Sequence, residues 1–100
     1  MPARRDGAAT MAAAEKRLEP RQQADGPVAL QPRDRTLRAE IAGELVDISS
    51  SGFRARHGCR SFYTGLEVDF RHTFAAGRAR VVWNRITGPD VESGFLILAS

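Results

Sequence analysis

The feature that most constrains this chain is alternation at period two. In Gly65-Leu66-Glu67-Val68-Asp69-Phe70, the apolar Leu66, Val68 and Phe70 fall on one face and the charged Glu67 and Asp69 on the other. Successive strand side chains point to opposite faces, so the pattern predicts a half-buried β-strand. Arg78 to Asn84 alternates again and predicts Ala79, Val81 and Trp83 on one face. Glu92 to Leu98 is more continuously apolar and reads as a last strand covered on both faces. Val28 to Leu30 predicts a short strand before Pro32. A longer one is expected from Thr36 through Leu37, Ala39 and Ile41, with a kink or bulge at Ala42-Gly43 before Leu45.

Turn signals separate these runs. Thr87-Gly88-Pro89-Asp90 is a strong one, and His72 to Gly77 reads as a connection. About six short strands and no long amphipathic helix predict an all-β domain. Closing the strands into a small six-stranded antiparallel β-barrel removes the exposed sheet edges.

Val46-Asp47-Ile48-Ser49-Ser50-Ser51-Gly52-Phe53 changes character in its middle. Its first half predicts a strand with Val46 and Ile48 toward the core and Asp47 and Ser49 together on the outer surface. An ionised Asp accepts hydrogen bonds only, whereas a Ser hydroxyl both donates and accepts, so the two form a recognition pair. Ser50 and Ser51 supply turn chemistry, and Gly52 is expected to take φ > 0 before Phe53 to Arg56 resume alternation.

One hundred residues suit a single domain. The formal net charge is +3, with fourteen arginines against Lys16 alone. Guanidinium forks match phosphate oxygens and guanine edges, so anionic partners are favoured. Cys59 is the only cysteine, which excludes an intramolecular disulfide. No apolar run is long enough to span a bilayer, and the N-terminus lacks a signal-peptide core, so a cytoplasmic protein without membrane insertion is expected.

Residues 1–15 are small, polar or basic and predict a flexible N-terminal arm ahead of a domain spanning 16–100. In Lys16-Arg17-Leu18-Glu19-Pro20-Arg21, Pro20 disfavours helix. An extended backbone sets Arg17 and Arg21 up to about 13 Å apart, at roughly 3.3 Å per residue. Forks so spaced can grasp opposite ends of a small anion, although Arg56 and Arg60 repeat the spacing. Arg33-Asp34-Arg35 reads as a solvated loop whose charges partly pair. His57-Gly58-Cys59-Arg60 reads as a loop with a bystander thiol, since nothing supplies metal-ligand spacing or a group to orient a Cys/His pair. With no acid/base or nucleophile constellation, an enzyme is the least favoured class.

Taken in order, Arg17-x-x-x-Arg21, Asp47-x-Ser49-x-x-Gly52, the Gly77-Arg78-Ala79-Arg80-Val81-Val82-Trp83 strand and the terminal Gly94-Phe95-Leu96-Ile97 resemble a PilZ domain over about residues 16–98. The resemblance implies a six-stranded barrel that binds the bacterial second messenger cyclic di-GMP on its outer surface, through a ligand-binding arm at 16–22. It implies a receptor or adaptor that relays the signal to a protein partner, with no cofactor and no DNA or RNA. Arg17 and Arg21 would donate to guanine O6 and N7 or to phosphate. Asp47 would accept from the guanine Watson-Crick edge, Ser49 would add a neutral hydrogen bond, and Gly52 would let the ligand approach the backbone. In this family a basic residue at the position of Lys16 tends to accompany two stacked ligands instead of one. Many members carry a helix after the last strand, whereas this sequence ends at Ser100. Two other readings remain: a PilZ-like protein-interaction module that does not bind the nucleotide, and a barrel binding nucleic acid, for which Phe62, Tyr63 and Phe74 are the spare aromatics.

Overall fold

A computed structural model describes residues 20–98. Seven strands account for most of them: β1 (Gln22–Gln23), β2 (Pro27–Pro32), β3 (Ile41–Ile48), β4 (Gly52–His57), β5 (Glu67–His72), β6 (Ala75–Thr87) and β7 (Asp90–Ile97). All pairings are antiparallel, and the sheet closes in the order β3, β2, β5, β6, β7, β4 and back to β3. The result is the expected six-stranded barrel. Short β1 is added outside it, pairing Gln22 with Ile48 and Gln23 with Asp47. No helix occurs among the described residues, and so none there is long and apolar enough to cross a membrane.

Inward residues of every barrel strand meet in one core. Val28, Leu30, Leu45, Ala55, Leu66, Val68, Ala79 and Val81 are almost fully buried around Phe53. The Phe53 ring stacks on Phe95 at 4.7 Å between centroids and tilts against Phe70 at 4.8 Å. Aromatic contacts of this kind add to the burial of the rings themselves.

Two bulges break the predicted alternation. On β3 the register with β4 runs from Leu45–Ala55 to Asp47–Arg54, leaving Val46 as the extra residue. Leu45 therefore joins the core in place of Val46, while Asp47 still points outward and Ile48 packs against the core. On β6 the register with β7 runs from Val81–Phe95 to Trp83–Gly94, leaving Val82 as the extra residue. Ala79 and Val81 face in as expected, but Trp83 is turned to the outer face. An inserted residue reverses the parity of everything beyond it.

Other expectations are corrected by local bonding. The strand expected from Thr36 begins only at Ile41, because the Asp34 carboxylate accepts from the Thr36 amide at 2.8 Å and hydroxyl at 2.7 Å and folds that segment into a turn. The connection expected over His72 to Gly77 is a tight hairpin turn at Thr73-Phe74, with Ala75 to Gly77 already in β6. His57 belongs to β4 and is buried, not in a loop. In β7, Val91 to Phe95 are buried on both faces as expected, but Leu96 is 41% exposed. The expected flexible arm at 1–15, together with Lys16 and Arg17, lies outside the described residues.

Candidate functional site

The site forms on the outer face where β3, β4, β7 and the far part of β6 adjoin. Pairing of β1 with the end of β3 brings Arg21 across 26 positions to Asp47. Arg21 Nε and Nη2 donate to Asp47 Oδ1 at 3.2 and 3.0 Å, and its Nη1 reaches Ser49 Oγ at 3.4 Å. Thus Arg21, Asp47 and Ser49 are brought together.

Gly52 closes the turn, but not as expected. It is not among the residues with positive φ. A Cβ there would stand 2.1 Å from the Phe95 carbonyl oxygen, so the position needs glycine because β7 crosses too closely for any side chain. Across the turn, the Ser49 amide donates to the Gly52 carbonyl at 2.9 Å.

Sequence reasoning missed Arg54. It stands opposite Asp47 in the register, and its Nε donates to Asp47 Oδ2 at 2.8 Å with Nη2 bonded to the same oxygen. A carboxylate offers about four lone-pair sites, and the two guanidinium forks take all of them. Arg54 Nη1 also lies 3.6 Å from Glu92 Oε2, and Arg85 Nη2 donates to Glu92 Oε1 at 3.0 Å. Charges thus alternate along Arg21, Asp47, Arg54, Glu92 and Arg85. Asp47 is only 4% exposed. Burial by itself would raise its pKa, but hydrogen bonds from Arg54 and Arg21 outweigh that effect and hold the carboxyl below its ordinary value.

Trp83 and Gly94 were missed as well. Beside the ion pairs runs an open groove of about 370 Å3, with Gly52 and Gly94 along it, Trp83 as a flat wall, and Arg21 and Arg54 at one end. Val82 and Leu96, 43% and 41% exposed, add apolar surface to the same groove. A flat indole face, apolar side chains and two guanidinium groups thus adjoin in one groove. No local signal reveals Trp83, because the bulge at Val82 that turns it outward is defined only by the register of β6 against β7.

The second Arg-x-x-x-Arg pair does not converge on a site: Arg56 pairs with Glu44 at 3.4 Å, and Arg60 donates to the Gly88 carbonyl at 2.9 Å. At the other end of β4, His57 Nδ1 accepts from the Cys59 amide at 3.1 Å, and its Nε2 lies 2.8 Å from Ser93 Oγ. Ser93 Oγ donates to Asn84 Oδ1 at 2.5 Å, and Asn84 Nδ2 donates to the Phe62 carbonyl at 3.2 Å. Every partner is satisfied by a neutral imidazole protonated on Nε2, a tautomer inferred from the network. Burial pushes the His57 pKa down to about 4. No group of three or more potential metal ligands occurs among the described residues.

No family model matches the chain, and no curated protein matches it significantly.

Proposed function

We propose that this protein is a PilZ-type receptor for cyclic di-GMP, binding the nucleotide in the groove beside Asp47 and relaying the signal to a protein partner. The observation that carries this reading is Arg21: a residue distant in sequence is brought onto Asp47 and Ser49 at the mouth of a groove bounded by two glycines and an indole. Binding, not catalysis, is the role such a site supports.

In this reading Asp47 accepts from guanine N1 and the 2-amino group, Ser49 adds a neutral bond, and Arg21 donates to guanine O6 and N7 or to phosphate. Because the carboxylate is already saturated, Arg21 must swing from Asp47 to the ligand, while Arg54 stays and keeps the acid ionised. Gly52 and Gly94 let the base approach the sheet, and Trp83 offers a face for stacking. Arg17 supplies the second fork of the arm, and Lys16 bears on whether one or two ligands bind. A cytoplasmic setting accompanies this reading.

A protein-interaction module that binds no nucleotide is the competing reading. It is favoured by the saturated Asp47, whose ion-pair network is complete without a ligand.

Calorimetric titration of cyclic di-GMP, with GTP as control, separates the two. Micromolar or tighter binding that is abolished by Arg21→Ala and weakened by Asp47→Ala supports the receptor, and the molar ratio gives the stoichiometry. Absence of heat, together with no thermal stabilisation at saturating nucleotide, leaves the interaction module.

A further inference from the structure

We infer that the hollow beneath the loop joining β2 and β3 is a docking site for an acidic polypeptide segment. Around the closed barrel β5 stands three strands from β4 in either direction, so Asp69 on β5 marks the side opposite the Asp47 groove. The hollow has a volume of about 560 Å3 and is lined by Gln31, Arg33, Asp34, Arg35, Arg38 and Asp69 among others.

Its shape is held by bonds within the loop and by one from Tyr63 between β4 and β5. Gln31 Nε2 donates to the Arg38 carbonyl at 3.1 Å. Asp34 Oδ1 takes the Thr36 amide and hydroxyl, and Oδ2 accepts the Tyr63 hydroxyl at 2.5 Å. Hydrogen bonds from Tyr63 and then Thr36 hold the Asp34 carboxyl at about 2. The aspartate of this loop is therefore committed to Tyr63 and Thr36 and not to its neighbouring arginines, which is not the pairing the sequence suggested.

Arginine partners then distinguish this place from the rest of the surface. All described arginines except Arg35, Arg38 and Arg71 donate to or pair with a carboxylate or a carbonyl, Arg33 with Asp69 at 3.0 Å among them. Arg35 and Arg38 have no such partner among the described residues, and both line the same hollow. Two unpaired guanidinium groups on a loop already held in shape lose little freedom when they bind an oxyanion.

A polypeptide fits better than a nucleic acid. Among the described residues no aromatic side chain lines the hollow, whereas sites for single-stranded nucleic acid stack bases on aromatics. An acidic peptide brings backbone N–H donors as well as carboxylates, which suits a lining that holds both aspartates and arginines. The nearby aromatic, Tyr63, has its hydroxyl tied to Asp34.

The test is NMR titration of the 15N-labelled full chain, reading backbone amides and arginine Nε–Hε resonances. Probes are a capped hexaglutamate peptide, a hexaglutamine control and a thymidine hexanucleotide. Hexaglutamate should produce saturable shifts at Arg35, Arg38 and residues 31–38, with none from hexaglutamine. The exposed double variant Arg35→Ala/Arg38→Ala should bind about tenfold more weakly, as expected for loss of two exposed ion pairs. Arg71→Ala should bind as the parent does. The assignment is overturned by no saturable shift at millimolar peptide, by shifts spread evenly over all arginines, by an equal loss in Arg71→Ala, or by the oligonucleotide binding the hollow as tightly as the peptide. None of these outcomes depends on cyclic di-GMP.

Discussion

The indole of Trp83 lies against the α-carbon of Gly94, so closely that a methyl group there would stand 2.2 Å from the indole Nε1. The two residues are paired across β6 and β7, and the bulge at Val82 is what turns the ring onto the outer face. A wall of the groove therefore rests on the absence of a side chain one strand away.

Gly94→Ala should displace Trp83 at a cost of about 1–3 kcal/mol, the usual range for overpacking. Trp83 is the only tryptophan in the chain, so its emission reports the displacement directly. Gly52→Ala should cost more, because its methyl meets the Phe95 carbonyl oxygen of the backbone instead of a side chain that can move. Urea unfolding of both variants checks the order; equal losses, with unchanged emission in Gly94→Ala, would contradict it.

Cyclic di-GMP should change Trp83 emission in the parent protein, and GTP should not. Arg21→Ala should remove the response with little loss of stability, since that side chain is 43% exposed and such pairs contribute about 0–1 kcal/mol. A fluorescence titration alongside thermal melts measures both effects.

Asp47→Ala should be destabilising by about 1–3 kcal/mol, between the limits for exposed and buried ion pairs, because it leaves Arg54 without its main partner. The folded state holds Asp47 below its ordinary value of 3.8. Its stabilising share is therefore complete above that pH and is lost as the pH falls through the lower folded value. Asp34, held at about 2, loses its share between 3.8 and 2. Acid unfolding curves of Asp47→Asn should be flatter below pH 4 than those of the parent.

His57 governs a separate window. Its folded value of about 4 lies below the ordinary 6.5, so the unfolded chain takes up the proton first. Stability is full above pH 6.5 and falls toward pH 4, with a slope of up to about 1.4 kcal/mol per pH unit. Burial shifts His72 in the same direction. His57→Gln should retain a donor and an acceptor yet flatten most of this slope in urea unfolding between pH 4 and 7. A slope unchanged in that variant would remove His57 as its source.

The strands were legible in the sequence because period two is a local property. Leu66, Val68 and Phe70 reach the core as their spacing predicts. The sequence by itself thus determined the all-β class and the barrel, and it singled out Arg21, Asp47, Ser49 and Gly52. Tertiary structure alone decided which of them meet and why. The parity of Val46 and Trp83 depends on bulges, and an extra residue in one strand is defined only against its partner. Arg54 becomes a partner of Asp47 only through the β3–β4 register, and Gly52 is required because β7 crosses it, not because its φ is positive. Alternation tells which neighbours share a face; which strand lies beside them is a non-local choice made by the closed barrel.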